Sequence, residues 1–90
     1  MKRVENKVAL VTSSTRGIGL AIAKTLAKEG ARVYLAVRRL DAGQEVANEI
    51  IAEGGFAKPV YFDASKVETH MSMIEEVVEA EGRIDILVNN

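Results

Sequence analysis

Short apolar runs alternate with stretches of helical periodicity along this chain, and that alternation narrows the possible folds more than any other feature. Four runs have the length and composition of buried strands: residues 8–11, 33–37, 60–62 and 84–88. Each of the three segments between them is long enough for a helix of about a dozen residues. Strands and helices in this order are joined by right-handed crossovers into a parallel sheet. The sequence therefore predicts an α/β fold with a doubly wound parallel sheet, in the order β-α-β-α-β-α-β.

Each predicted helix carries an apolar stripe that we expect to face the sheet. The expected inward residues are Ile18, Ile22 and Leu26 in the first helix, with Ala21, Ala23 and Ala27 filling beside them, Val46, Ala47, Ile50 and Ile51 in the second, and Val67, Met71, Ile74 and Val78 in the third. Glycines follow the helices at positions 30, 54 and 82, where C-terminal caps belong. Asp41, with Gln44 three residues later, is typical of a helix N-cap. Pro59 introduces the third strand.

What the 90 residues lack excludes several classes of protein. Without cysteine there is no disulfide framework and no thiolate metal site, and the single histidine, His70, cannot form a metal site alone. The longest stretch without a charged side chain, residues 8–15, is far shorter than the roughly twenty residues of a membrane span. No apolar segment follows the basic N-terminus, so we expect no signal peptide. We expect a cytoplasmic protein.

Charge is distributed unevenly along the chain. The formal net charge is −1, which argues against general affinity for nucleic acid. Residues 1–39 nevertheless carry nine basic and two acidic side chains, whereas residues 40–90 carry three basic and eleven acidic ones. This asymmetry indicates either an anionic ligand on the N-terminal half or two solvated faces.

A glycine-containing loop, residues 12–19, lies between the first predicted strand and the first predicted helix. In a doubly wound sheet the first such loop meets the phosphates of a ligand at the carboxyl ends of the strands. Gly17 and Gly19 allow close approach of the backbone, and the helix N-terminus favours a pyrophosphate. The spacing is not G-x-G-x-x-G, because Ile22 occupies the third position, and it is not a P-loop. Tight packing of strand against helix is the alternative role of these glycines.

The residues after the second strand bear on the choice of nucleotide. NAD-binding folds usually place a carboxylate there for the ribose 2′-hydroxyl, whereas NADP requires a cation for the 2′-phosphate. Here Arg38 and Arg39 follow the strand, and Arg16 lies in the glycine-containing loop. Guanidinium groups suit phosphate oxygens. We therefore expect NADP, held by Arg38 rather than Arg39 because Arg38 lies nearer the strand end; an ordinary solvated loop is the alternative.

The loop resembles the TGxxxGxG turn of the short-chain dehydrogenase/reductase family. Thr12, Gly17, Ile18 and Gly19 match that turn, and Ser13 replaces its first glycine. If that position requires a positive φ, Ser13 costs about 1–2 kcal/mol, although its hydroxyl is able to bind a phosphate. The resemblance implies a Rossmann-like fold in which the loop binds the cofactor. The implied cofactor-binding loop residues are Thr12, Ser13, Thr15, Arg16, Gly17, Ile18 and Gly19.

Two further segments resemble the same family. Asp63-Ala64, after the third strand, resembles the pair that holds adenine, in which the carboxylate accepts from the exocyclic amine and the next N–H donates to the ring. Capping of the turn into the third helix is the alternative role of Asp63. Asn89-Asn90 resembles the start of the family's NNAG segment, which implies contact of Asn90 with the adenosine ribose.

The resemblance covers the whole chain and implies that residues 1–90 are the N-terminal, cofactor-binding part of a single Rossmann-fold domain. We expect a longer protein because parallel sheets need both faces covered and no helix follows the fourth strand. The family's catalytic Tyr, Lys and Ser are then expected beyond Asn90, since Tyr34 and Tyr61 fall within predicted buried strands. The resemblance also implies a homotetramer for the whole protein.

Within the family, residues 5–19, 33–35, 60–62 and 81–90 are similar to those of the bacterial, NADP-dependent 7α-hydroxysteroid dehydrogenases. This likeness implies a small-molecule substrate, a bile acid or other steroid, whose 7α-hydroxyl is oxidised. A 3-oxoacyl-[acyl carrier protein] reductase is the leading alternative within the family. A non-catalytic nucleotide-binding module, complete at ninety residues, is the alternative from a different class.

Overall fold

Strands and helices alternate as predicted in the computed structural model, which describes residues 4–89. The strands are β1 (Val8–Thr12), β2 (Arg32–Val37), β3 (Phe56–Tyr61) and β4 (Ile86–Val88), and the helices are α1 (Gly17–Lys28), α2 (Leu40–Ala52) and α3 (Glu68–Glu81). No helix in this part of the chain is both long and apolar enough to cross a bilayer.

All four strands are parallel and lie side by side in the order β3-β2-β1-β4. The chain moves outward from β1 to β3 through α1 and α2, and α3 then returns it to the other side of β1. Because every crossover is right-handed, this reversal places α1 and α2 on one face of the sheet and α3 on the other. The doubly wound, Rossmann-like sheet predicted from the sequence is confirmed.

The core forms two layers, one on each face of the sheet. Alternate residues of β1 supply both: Ala9 and Val11 pack with α1 and α2, whereas Val8 and Leu10 pack with α3. Every residue of β1 is therefore buried, as its uninterrupted apolar sequence indicates. The central position of β1 holds its carboxyl end between those of β2 and β4.

The strand boundaries differ from the predicted ones. β3 begins at Phe56 rather than at residue 60, and Pro59 lies inside it, paired with Leu35 of β2. Proline is tolerated there because β3 is an edge strand, whose outward groups have no neighbouring strand. β4 is shorter than predicted, because residues 84 and 85 precede the pairing with β1.

The inward face of α1 was predicted only in part: Ala23, Ala27 and Leu26 of the expected stripe pack against the core, but Ile18 and Ala21 do not. Its buried residues are Gly19, Ala23 and Ala27, while the side chain of Ile18 is 72% exposed and Ile22 is only half-buried. Small residues allow the helix axis to lie close to the sheet, so Ile18 and Ile22 lie on the side of the helix and do not point at the strands. The face that contacts β1 and β2 is therefore centred on the small residues of the predicted stripe and not on its isoleucines.

Two details of α2 also differ from prediction. Val46, Ala47 and Ile50 are buried as expected, but Ile51 is half exposed. Arg39, not Asp41, occupies the N-cap position, and no side chain caps this helix. Asp41 lies within the first turn instead, where its negative charge interacts favourably with the helix dipole but does not cap the helix.

α3 packs on the sheet through a face different from the predicted one. Its buried residues are Thr69, Met73 and Val77. The predicted inward residues are largely exposed: Val67, Met71 and Val78 lie in solvent, and Ile74 is half-buried. Ile74 packs against the buried cluster from the side, whereas the other three residues form an apolar surface that faces away from the sheet. We call these three residues, Val67, Met71 and Val78, the outer stripe of α3.

A charged cluster ties the end of α3 to the start of β2. The Glu81 carboxylate accepts hydrogen bonds from Arg32 Nε at 2.8 Å, Arg32 Nη2 at 2.9 Å and Tyr34 Oη at 2.6 Å. The Arg32 guanidinium also lies 3.8 Å from the ring centroid of Phe56. Burial and then the bond to Glu81 raise the pKa of Tyr34 to about 12, while Arg32 lowers the pKa of Glu81. The Tyr34 hydroxyl is thus used in a structural hydrogen bond to Glu81.

We expect Glu81→Gln to lower the free energy of unfolding by about 1–2 kcal/mol at neutral pH, because the three charge-assisted hydrogen bonds to the carboxylate are weakened. The folded-state pKa of Glu81 lies below its ordinary 4.5, so its contribution is complete above pH 4.5 and is lost as pH falls through the folded value. Urea titrations across this range should show the wild type converging on the variant. Glu79→Gln, an exposed change on the same helix, is the control. A difference that persists unchanged at low pH would contradict this assignment.

Candidate functional site

The glycine-containing loop lies where the strand order reverses. β1 has β2 on one side and β4 on the other, and the chain leaves these two neighbours in opposite directions. Ligands of open α/β sheets bind in the crevice at the carboxyl ends of the strands at such a point. The predicted site residues that follow β1, β2, β3 and β4 therefore share one edge of the sheet.

Thr12 joins the ends of β1 and β4. Its side chain is buried, and its Oγ1 lies 3.4 Å from both the Val88 carbonyl oxygen and Asn89 Oδ1. The hydroxyl can donate to one of these acceptors at a time. Thr12 therefore fixes the edge from which the loop starts. Asn90, the other predicted residue at this end, lies outside the described residues.

Ser13 adopts a left-handed backbone conformation. Its φ is +52°, so this position does require the positive φ that glycine adopts more easily than serine. Its N–H donates to the carbonyl oxygen of Ala36 in β2 at 3.1 Å, and its side chain is exposed. The backbone N–H of Ser13 is thus committed to the sheet, and only its hydroxyl faces solvent.

Ser14 is a site residue that the sequence analysis missed. Its side chain is completely buried, and among the described residues its Oγ is the one buried side-chain polar atom without a hydrogen-bond partner. Leaving such a hydroxyl unpaired costs about 1–3 kcal/mol, which an acceptor reaching the loop would offset. The residues present therefore fit a phosphate-bearing group. A serine in a serine-rich loop gives no sequence signal that distinguishes it from its neighbours.

The N-terminus of α1 is open to an anion. Arg16 stands at the N-cap position, no side chain caps the helix, and the first turn contains no acidic residue. Gly17 begins the helix with φ +63°, a conformation that side chains rarely adopt. The N–H groups of the first turn and the helix dipole consequently favour negative charge in front of the loop. Thr15 is half-buried beside them.

The two predicted phosphate-binding cations are not engaged elsewhere. Arg16 and Arg38 are exposed, and no ion pair within residues 4–89 includes either of them. Arg39, by contrast, forms an ion pair with Asp41 at 3.1 Å. Arg38 is thus the arginine after β2 whose charge is available to a ligand.

Asp63 caps the turn that leads into α3. Its Oδ1 accepts from Ser65 N at 2.9 Å and from Ser65 Oγ at 2.7 Å, and these bonds are the main reason that its pKa lies below the ordinary value. Lys66 and then Arg38 lower it further. Thr69, which the sequence analysis did not single out, accepts from the Asp63 N–H at 3.0 Å. The capping role is therefore present, and Asp63 and the exposed Ala64 follow β3 at the edge of the sheet where Arg38 follows β2.

Tyr34 and Tyr61 differ from each other in the structure. Tyr34 is buried as predicted, but Tyr61 is 38% exposed because it lies at the end of the edge strand β3. Its hydroxyl accepts from Lys66 Nζ at 3.4 Å, outside the loop and far along the chain from Thr12. Neither tyrosine lies in the glycine-containing loop.

Comparison with known proteins agrees with this geometry. Residues 7–90 match the family described as short chain dehydrogenase. The chain is 64% identical over 90 residues to a 7α-hydroxysteroid dehydrogenase of Clostridium sardiniense, covering all of this chain and 34% of that protein. It thus spans about a third of the length of the curated relatives it matches.

Solved structures share the fold. A hydroxysteroid dehydrogenase from Escherichia coli superposes with a TM-score of 0.93 at 34% identity, over 98% of this chain and 36% of that one. A metagenomic short-chain oxidoreductase in complex with NADP gives a TM-score of 0.92 at 41% identity, over 97% of this chain and 39% of that one. These likenesses cover the sheet, the helices and the loop described above.

Proposed function

The chain belongs to the short-chain dehydrogenase family, and from that premise we propose that it is the N-terminal, cofactor-binding part of an NADP-dependent 7α-hydroxysteroid dehydrogenase. The observation that carries the proposal is the 64% identity to the Clostridium sardiniense enzyme along all 90 residues. NADP rather than NAD is supported by Arg38, a guanidinium without an ion pair in residues 4–89 that stands where NAD-binding folds place a carboxylate. The neighbour with bound NADP is consistent with that choice.

The proposed cofactor-binding residues divide by the part of the nucleotide that each would hold. The loop and the first turn of α1 would line the phosphate groups of the cofactor, and backbone N–H groups at the start of the helix would donate to the pyrophosphate; the lining residues are Thr12, Ser13, Thr15, Arg16, Gly17, Ile18 and Gly19. Arg38, with Arg16, would bind the 2′-phosphate. Asp63 and Ala64 would hold adenine, and Asn90 the adenosine ribose. The exposed Ile18 side chain gives this loop an apolar surface beside its cations.

The reaction proposed for the whole protein converts the 7α-hydroxyl of a bile acid to a ketone. A bound nicotinamide would supply the acceptor for the hydride from C7, and a base would take the hydroxyl proton. This chain supplies the binding and orientation of the cofactor. The acid/base Tyr-x-x-x-Lys pair is proposed to follow Asn90, in a cytoplasmic homotetramer.

The proposal is tested by assaying the whole protein with bile acids that differ only in configuration at C7. We expect the 7α-hydroxy compound to reduce NADP and the 7β epimer to be inert. NAD in place of NADP, and a 3-oxoacyl thioester with NADPH, are the comparison reactions. Turnover of the thioester without turnover of the 7α-hydroxy compound would assign the chain to the reductase alternative instead. Binding of NADP without turnover of either substrate would favour the non-catalytic module.

A further inference from the structure

We propose that the hydroxyl of Ser13 contacts the 2′-phosphate of NADP directly and so helps to select NADP over NAD. The inference rests on the proposed function and names a specific atom within that site. Ser13 stands where the family's turn has its first glycine, and a glycine has no hydroxyl that could make this contact.

The position of Ser13 places it beside the strand that leads to Arg38. Thr12 pairs with Ala36 in the register of β1 and β2, and the next residue, Ser13, donates its N–H to the same Ala36 at 3.1 Å. β2 ends one residue later at Val37, and Arg38 follows. Ser13 is therefore the loop residue bonded directly to the strand that carries the proposed 2′-phosphate ligand.

The conformation of Ser13 has a cost that its contacts within the protein do not offset. Its φ of +52° would be free of strain for glycine, whereas the other non-glycine residue with positive φ, Asn6, is of a type that tolerates the left-handed region. The Ser13 side chain is exposed and makes no hydrogen bond among the described residues. Strained residues of this kind cluster at ligand-binding sites. Since the N–H is used by the sheet, the group left for a ligand is the hydroxyl.

The chemistry of the hydroxyl suits a phosphate between two arginines. A hydroxyl donates to a phosphate oxygen at short range and adds no charge, so it complements Arg16 and Arg38, whose guanidinium groups supply the charge. NAD has no phosphate at this position. A donor here consequently adds to NADP affinity much more than to NAD affinity.

Two substitutions in the whole protein separate the hydroxyl from the backbone strain. Ser13→Ala removes the hydroxyl but retains a β-carbon in the left-handed conformation, while Ser13→Gly removes both. We expect each variant to bind NADP about tenfold more weakly in fluorescence titration, with NAD binding changed less than about twofold. Thermal unfolding without nucleotide should show Ser13→Gly melting a few degrees above wild type and Ser13→Ala not.

The possible outcomes distinguish the inference from the proposed function. If wild type prefers NADP and Ser13→Ala retains that preference in full, the role of the hydroxyl is wrong while the proposed function stands. If only Ser13→Gly loses NADP affinity, the loop conformation and not the hydroxyl is responsible, and the inference is again wrong. If wild type binds NAD as tightly as NADP, the proposed cofactor choice fails and the inference with it.

Discussion

Replacing Arg38 by alanine should weaken NADP binding by about 10- to 100-fold and change NAD binding by less than about twofold. A hydrogen-bonded guanidinium–phosphate contact contributes about 1.5–3 kcal/mol, and only NADP has the phosphate. Arg38 is exposed and is in no ion pair within the described residues, so its removal breaks no salt bridge there. Isothermal titration of the whole protein with each nucleotide measures the two affinities separately.

Arg39→Ala is the matched control for this prediction. Arg39 is the adjacent arginine and is also exposed, but its guanidinium is paired with Asp41. We expect its loss to weaken NADP binding only severalfold, through long-range charge. Equal losses of NADP and NAD affinity in Arg38→Ala would show that Arg38 does not read the 2′-phosphate.

The second large effect concerns the core under the site. Leu35→Ala should lower the free energy of unfolding by about 3–5 kcal/mol, because Leu35 is fully buried in β2 between α1, α2 and the neighbouring strands. Marginal stability makes a loss of this size a large part of the total. Chemical denaturation monitored by circular dichroism gives the change directly.

Ile51→Ala provides the comparison for Leu35→Ala. Ile51 lies on α2, and half of its surface is exposed, so removal of its side chain leaves no closed cavity. We expect a cost below about 1.5 kcal/mol. A loss at Leu35 no larger than that at Ile51 would contradict the packing of β2 described above.

The sequence was sufficient for the order of elements because each signal was local. Buried strands of a parallel sheet are uninterrupted apolar runs, and Gly30, Gly54 and Gly82 mark helix ends through their positive φ. The direction in which a helix faces is not local. α1 contacts the sheet through Gly19, Ala23 and Ala27, and this choice depends on how closely the helix approaches the strands.

Prediction of the site was limited in the same way. The glycine-containing loop and the arginines could be found because their residue types match a chemical requirement at a known place in the fold. The positive φ of Ser13 depends on the turn that the sheet imposes. From the sequence alone it was possible to say only that Ser13 is strained if its position requires a positive φ. The burial of Ser14 depends on neighbours distant in the chain, so no pattern within the loop indicated it.

The outer stripe of α3 has a consequence for the order in which the protein is made. The chain moves across the sheet from β3 to β4, and a further strand beside β4 would lie one step farther in the same direction. A right-handed crossover from β4 to that strand would place its helix on the same face of the sheet as α3. In the longer protein that we propose, the next helix would then cover Met71 and Val78. Translation delivers residues 1–90 first, at about 5–20 residues per second. For the seconds before that helix emerges from the ribosome, the nascent chain would expose this apolar helix face to solvent.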